Sequence, residues 1–544
     1  MKRRIVITSA LPYSNGEIHL GHLLEHLITD FWGRFQKMRG HECLSICADD
    51  THGAPVMVEA MRRGIQPEEQ IATMLHKHTE VFREFHINYD FYSTTNTEIN
   101  RQHCHRIFHS LHENGYLETK EIKQAFCEHD KMFLPDRFVK GTCPKCQTAN
   151  QYGDSCDACG SVYSPLEMDD ARCSLCDNKP VTRESTHYFC KIAKDQEFLK
   201  TWVPAHTPEA IANKLAEWLN HTLADWCFTR DAPYFGFALP GTTDKFYYVW
   251  FDAPVGYIAS TDEWCRLHNR KVEEFWQDES SEIYHNIGKD IIYFHSLFWP
   301  VMLKNAGWQL PRQIWVHGML TIDGVKLSKS RGTFINAQTY LNHLGPEYLR
   351  YYFAAKLSDS IVDIDLNWAD FVGKVNAELI GKITNIASRS VQMLHKQLDG
   401  CLGTLTSSGL ALVQAAQQRS EEIASFYEQR QFSQAIGAVR EIADEANRFF
   451  DEHKPWLQIK EQPEAARQVL TAALHLFRII AIYLKPVLPH YVSKVETLFS
   501  ETTPYSWSST AALVEGRAMQ AYEHLLGRID PKHLEAITAE AKQV

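Results

Sequence analysis

The chain reads as α/β: an open parallel sheet, interrupted by a cysteine-rich insertion and followed by a bundle of α-helices. Three observations carry this. Short apolar runs alternate with amphipathic stretches over residues 1–115 and again over 230–325, the pattern of strands joined by covering helices. Between those blocks the composition shifts to Cys, Gly, Pro and Asp. From Asn367 onward apolar residues recur at three- and four-residue spacing, in Ala369 to Leu394, Phe432 to Phe450 and Ala465 to Leu484.

The first strand is the run Ile5-Val6-Ile7, and the first helix is announced by Leu24, Leu27, Ile28, Phe31 and Phe35. Between them stands Pro12-Tyr13-Ser14-Asn15-Gly16-Glu17-Ile18-His19-Leu20-Gly21-His22, so His19 and His22 fall where strand gives way to helix. The first amides of a helix lack acceptors within it and its dipole is positive there, so two imidazoles beside them suit phosphate oxygens. Strands resume at Phe246 to Phe251 and at Ile314 to Leu320. An Asp323-Gly324 turn then leads into Lys326-Leu327-Ser328-Lys329-Ser330, a loop with two lysines. In open parallel sheets ligands bind beyond the carboxyl ends of strands. His19/His22, Asp49/Asp50 and Ile287-Gly288-Lys289-Asp290 all follow strands, which predicts one common pocket.

Six of fourteen cysteines form C-x-x-C pairs, and Cys143, Cys146, Cys156 and Cys159 make C-x2-C-x9-C-x2-C. Four thiolates close a tetrahedral structural zinc site. Cys173 and Cys176 alone do not complete a second one; an outside ligand such as His129, exchange with another pair, or no metal at all remain open. Cys43, Cys47, Cys104, Cys127, Cys190, Cys227, Cys265 and Cys401 read as small apolar residues.

The 544 residues suffice for about three or four domains. A net charge of -11 argues against indiscriminate nucleic-acid binding, so any nucleic-acid partner must meet local basic stretches. Candidates are Lys326, Lys329, Arg331, Arg350 and Lys356, then Lys374, Lys382, Arg389 and Lys396. The apolar stretch Leu476 to Leu488 is broken by Arg478, Lys485 and Pro486, and the run after Lys2-Arg3-Arg4 is too short for a signal peptide. A cytoplasmic protein without a membrane partner is expected.

His19-Leu20-Gly21-His22 paired with Lys326-Leu327-Ser328-Lys329-Ser330 resembles the double signature of class I aminoacyl-tRNA synthetases, with apolar-for-apolar changes at Leu20 and Leu327. Ala10-Leu11-Pro12-Tyr13, Cys47-Ala48-Asp49-Asp50, Arg230-Asp231-Ala232-Pro233-Tyr234-Phe235-Gly236, Tyr248 to Pro254 and Ile287 to Asp290 resemble segments of the methionyl-tRNA synthetases, in that family's order. The resemblance runs to at least Trp456.

It implies a split Rossmann-type catalytic domain with a zinc-knuckle insertion and a helical anticodon-binding bundle. The expected bounds are 1–115 and 230–325 for the two catalytic halves, 116–229 for the insertion, 326–366 for a connector carrying the lysine loop, and 367–544 for the bundle. It further implies a two-step reaction of ATP, L-methionine and tRNA(Met), with Mg²⁺ accompanying ATP and one structural zinc, or two. Catalysis then falls to His19, His22, Lys326 and Lys329, and ATP contacts to the same residues with Gly21 and Ser328. Asp50 would pair with the methionine ammonium, its alternative being a helix cap before Thr51-His52-Gly53. Ala10, Leu11, Tyr13, Trp250, Ala253, Pro254, Tyr257, Ile291 and His295 would line the side-chain pocket. Asn385, Arg389 and Trp456 would read the anticodon.

Two other readings remain: a class I synthetase for another apolar amino acid, and a tRNA-binding relative without chemistry. The short insertion weighs against the first and intact His19, His22 and Lys329 against the second. Longer family members carry an added C-terminal dimerisation domain, and a monomer is expected here.

Overall fold

The computed structural model describes residues 2–135, 138–153, 156, 158–159, 161, 163–327 and 333–542. Strands β1 (Arg4–Ser9), β2 (Glu42–Asp49), β3 (Phe91–Thr94), β4 (Ser281–Gly288) and β5 (Gln313–His317) form one sheet in the order β5-β4-β1-β2-β3. All neighbours pair in parallel. The chain walks outward from β1 to β3, then returns to the other side of β1, so the order reverses between β1 and β4. A crevice opens at such a switch point.

Alternate side chains of β1 serve different cores, as the two-residue strand period requires. Ile5 and Ile7 join the apolar face of helix α1 (Leu20–Met38) and the C-terminal helices. Val6 joins the opposite core with Leu44, Ile46, Ile283 and helix α2 (Val249–Leu267). The expected strand Phe246 to Phe251 is shorter than the sequence suggested, Lys245–Tyr247, and α2 starts at Val249. A continuous apolar run carries no period, so it does not say where strand ends and helix begins.

Between β3 and β4 the chain builds, among the described residues, a two-stranded antiparallel pair, Thr229–Asp231 with Lys245–Tyr247, and two larger antiparallel sheets. One aligns Trp226–Cys227, Val181–Cys190, Leu117–Cys127 and Met132–Phe133; the other aligns Gln151–Tyr152, Val139–Thr142 and Asp169–Cys173. After β5, Leu320–Ile322 turns through Asp323 and Gly324, both at positive φ, into Val325–Lys326. Asp and Gly are the residues a two-residue hairpin turn of this hand tolerates.

The helical region holds Trp368–Lys374, a π-helical Val375–Thr384 and Asn385–Gln397 in one run, followed by Phe432–His453, Pro463–Leu484, Pro489–Leu498 and Lys532–Ala541 among others. Pro463–Leu484 is long and apolar enough to cross a membrane, contrary to the expectation from Leu476 to Leu488, but 83% of its most apolar window is buried by neighbouring helices. Its apolar circumference is the mark of a central core helix.

Arg350 ties the parts together. It is fully buried in helix Pro346–Lys356, pairs with Asp30 of α1 at 2.6 Å, and donates to Phe85 O (2.9 Å) and Val487 O (2.6 Å). This corrects its place among the candidate RNA-binding cations. Lys356, Lys374, Lys382 and Arg389 are paired with Asp370, Glu378, Asp444 and Asp451.

Candidate active site and metal centre

His19 is the N-cap of α1, and its Nδ1 accepts from the amides of Gly21 (3.1 Å) and His22 (3.3 Å). His22 Nδ1 accepts in turn from His19 N–H (3.3 Å), and the two rings stack 3.6 Å apart. Leu20 N–H is taken by Ile335 O (3.0 Å) and Leu23 N–H by His19 O (3.2 Å). The first-turn amides are therefore all partnered, which revises the expectation that they face a phosphate. Burial lowers His19 to about 4 and lowers His22 as well, with His19 adding to the latter. Two neutral rings accepting at Nδ1 carry their protons at Nε2. What the pair offers a ligand is two Nε2–H donors.

The lysine loop meets this turn directly. A Cβ on Gly21 would lie 2.8 Å from Leu327 Cδ1 and 2.9 Å from His19 Cε1, so any larger residue here would push on the His19 ring and on Leu327. On the far side of the loop, Ala337 N–H donates to Ile18 O (2.8 Å). Lys326 is exposed at the hairpin end. Ser328 and Lys329 lie outside the described residues.

At the switch point a cavity of about 450 Å³ is lined by Ala10, Leu11, Tyr13, His22, Asp50, Trp250 and Ile291 from the expected set. A side cavity of about 30 Å³ is walled by Ala10, Leu11, Asp50, Trp250, Ala253, Pro254, Tyr257, Ile291 and His295, nine of the ten residues expected around methionine. Trp250 stacks flat on Phe294 at 4.0 Å. His295 Nδ1 donates to Ile291 O (3.2 Å) and its Nε2 accepts from Tyr257 OH (3.0 Å), a neutral ring that burial lowers to about 4. Tyr13 OH donates to His52 O (2.6 Å), and Gly53, at φ +108°, leaves room for that hydroxyl.

Asp50 is 7% exposed, and its Oδ1 is buried without a hydrogen-bond partner. Burial, then the nearby Asp252, push its carboxyl well above the usual range. The following helix, Ala54–Arg63, is capped by Gly53 without a side-chain bond, so Asp50 is no cap. A buried carboxylate with one oxygen left unpartnered in an apolar cavity is a site for a cation.

Glu25 and His26 also line the larger cavity and were missed by sequence reasoning; Arg230, Tyr234 and Tyr248 line it from segments that were quoted for the resemblance without a site role, and Asp290 from the segment expected to reach the pocket. Glu25 and His26 stand three and four residues after His22, so helical spacing put them on its face. Glu25 Oε2 bonds His317 Nε2 (3.1 Å), while Oε1 is buried and unpartnered.

In the insertion, Cys143, Cys146, Cys156 and Cys159 converge with all Sγ atoms within 4.8 Å of one another. Cys143 and Cys159 Sγ are 3.9 Å apart and Cys146 and Cys156 3.5 Å. Tetrahedral zinc–sulfur bonds place sulfurs about 3.8 Å apart, so the donor set fits zinc. Cys173 and Cys176 join Cys127 and Asp130 in a second group. There Cys127 Sγ lies 3.4 Å from Cys176 Sγ, and Asp130 Oδ2 is 3.1 Å from Cys127 and 3.2 Å from Cys173. Cys127 and Asp130, not His129, are therefore the groups placed to complete a site with Cys173 and Cys176. Cys127 is no mere apolar filler, and His129 instead bonds Asp130.

Far along the chain, Arg389 and Trp456 line a hollow of about 400 Å³ with Ser388, Gln392, Lys396 and Phe450. The Arg389 guanidinium lies 4.3 Å from the Phe450 ring and 5.6 Å from that of Trp456, which is 40% exposed. Asn385 stands one turn before Arg389 on the same helix, outside the lining of the hollow.

The family model of class I tRNA synthetases (M) matches residues 5–391, and that of the anticodon binding domain of methionyl tRNA ligase matches 401–541. The chain belongs to the methionyl-tRNA synthetases. It is 50% identical, over all of its 544 residues and 79% of the relative's length, to a methionine–tRNA ligase of Bdellovibrio bacteriovorus. The fold matches the Mycobacterium tuberculosis methionyl-tRNA synthetase in complex with methionyl-adenylate, with a TM-score of 0.79 at 22% identity, covering 96% of this chain and 99% of that one. The apo form of the same M. tuberculosis enzyme matches with a TM-score of 0.73 at 21% identity, covering 98% and 99%. The chain is thus an aminoacyl-tRNA synthetase, an α/β class I fold carrying a cysteine cluster and a C-terminal helical region.

Proposed function

We propose that the cavity at the switch point activates L-methionine with ATP and passes it to the 3′ end of tRNA(Met). The observation that carries this is Asp50: a buried carboxylate with an unpartnered oxygen, at the wall shared by both cavities. An α-ammonium group placed there supplies the missing partner, and the thioether chain enters the side cavity between Trp250, Tyr257 and His295. Sulfur packs well against such rings.

The methionine carboxylate oxygen attacks the α-phosphorus of MgATP, and pyrophosphate leaves with the bonding electrons. His19 and His22 donate from Nε2 to phosphate oxygens as charge grows in the transition state, with Gly21 admitting the close approach. By the family resemblance Lys329 binds the pyrophosphate oxygens, with Lys326 and Ser328 assisting. The 3′-terminal hydroxyl of tRNA then attacks the activated carbonyl and AMP leaves. No protein nucleophile is needed; positioning and charge stabilisation supply the rate. Glu25 Oε1 offers an acceptor to a sugar hydroxyl of the nucleotide.

Arg389 and Trp456 suit an unpaired anticodon base, through stacking and edge contacts, with Asn385 beside them. Cys143, Cys146, Cys156 and Cys159 hold structural zinc, and Cys127, Asp130, Cys173 and Cys176 a second ion; each ion stiffens its knuckle. The protein acts as a cytoplasmic monomer, with the split halves 1–115 and 230–325, insertion 116–229, connector 326–366 and bundle 367–544 as its working parts. ATP–pyrophosphate exchange with a panel of amino acids tests the assignment: exchange with methionine above isoleucine, leucine and valine supports it, and exchange with none would leave only tRNA binding.

A further inference from the structure

The segment that carries Tyr13 and His19 is gripped by one face of helix Pro67–Glu84. Gln70 Nε2 donates to Ser14 O (3.0 Å), Lys77 pairs with Glu17, and His78 Nε2 donates to Gly16 O (2.8 Å). Positions 70, 77 and 78 are one helical stripe. His78 is 1% exposed, and its other nitrogen, Nδ1, donates to Asp49 Oδ1 (2.8 Å). Asp49 closes the circle by accepting from Ser14 Oγ (3.2 Å) and from Tyr92 OH.

A carbonyl and a carboxylate can only accept, so both ring nitrogens of His78 must carry protons. We infer that His78 is a positioning residue of the adenylation site, a resident imidazolium that ties the segment before His19 to Asp49 at the end of β2, next to Asp50. Without it the ammonium site at Asp50 and the Nε2–H donors of His19 and His22 lose their common reference. The ring is also the positive charge that lets Asp49 stay buried beside Asp50.

The groups facing His78 are Asp49 on β2, Tyr92 on β3, Glu17 in the segment, and His22 and His26 on α1, with Lys77 on its own helix. Burial works against the charged ring, but the Asp49 and Gly16 bonds and Glu17 outweigh it, and the ionisation is raised above that of a free histidine. As pH rises through that value one N–H is lost, and a lone pair is left facing an oxygen.

This inference rests on the reading of the cavity as the adenylation site, and the test separates the two. In protein labelled with [15N]histidine, the His78 signal is assigned by its loss in His78→Gln and, independently, by its shift in Tyr92→Phe. Both of its ring nitrogens should keep imidazolium shifts to a pH above that at which a free histidine loses its proton; a ring that is neutral at or below that pH overturns the inference whatever the activity. In methionine-dependent ATP–pyrophosphate exchange, His78→Gln should lower kcat by about 10- to 100-fold, as misplacement of reacting groups does, while the methionine KM moves by less than about threefold. The alkaline fall of the wild-type profile should be missing in this variant. A variant with a lower melting temperature but wild-type kcat and pH profile would make His78 a packing residue and overturn the proposal. Absence of exchange in the wild type would fail the adenylation reading alone, since the ring's charge is read without it.

Discussion

Replacing Asp50 by Asn removes one charge and almost no volume. The backbone bonds here do not involve the side chain: Asp50 N–H donates to Pro12 O (2.9 Å) and Asp50 O accepts from Ser14 N–H (2.8 Å), so the site keeps its shape. Leaving an ammonium buried without its counter-charge costs about 3–5 kcal/mol. At about 1.36 kcal/mol per factor of ten, kcat/KM for methionine should fall by about 10²- to 10³-fold or more. Stability should move the other way. Burial raises the folded-state ionisation of Asp50 above that of the unfolded chain, so the ionised carboxylate costs stability at neutral pH, and Asn relieves that cost. The assay is pyrophosphate exchange across methionine concentrations, with a thermal melt of the free protein. Methionine KM should also rise in the wild type as pH falls through the raised ionisation, because a protonated Asp50 offers no charge. Unchanged kcat/KM, or a melting temperature lowered by several degrees with kinetics intact, would refute the reasoning and make Asp50 a structural carboxylate.

Lys329→Ala should slow adenylate formation by about 100- to 1000-fold while methionine still binds, since its charge matters where pyrophosphate forms; stopped-flow measurement of adenylate formation reads this. Carefully purified protein should hold two equivalents of zinc by elemental analysis, falling to one in Cys143→Ser or Cys156→Ser and, separately, in Asp130→Ala. Two equivalents retained in any of these variants would remove that residue from its metal site. Trp456→Ala should leave pyrophosphate exchange near normal and weaken tRNA recognition by about 1–3 kcal/mol, with the penalty shrinking for a tRNA whose anticodon is altered; equal losses in both reactions would make it a packing residue.

Local chemistry alone placed β1, the start of α1, the Asp323-Gly324 turn and the long helices, because period, turn residues and caps act within a few residues of chain. The C-x2-C-x9-C-x2-C cluster was legible for the same reason: its ligands are neighbours in sequence. The resemblance to the family then supplied the walls of the side cavity, which no spacing could have shown.

What the tertiary structure decided concerns groups far apart in the chain. Arg350 reads as a surface cation, yet it is wholly buried because Asp30, Phe85 and Val487 converge on it from three other segments. Cys127 reads as a filler until the pairing of Leu117–Cys127 with Val181–Cys190 carries it to Cys176. The helix-start amides read as free, but His19 turns back to take two of them, and only the rotamers of the folded pair reveal it. Sequence fixes the period of a helix or strand through interactions within a turn or two. The charge state and partners of a buried group depend on what long-range packing brings within a few ångströms, where water no longer screens it.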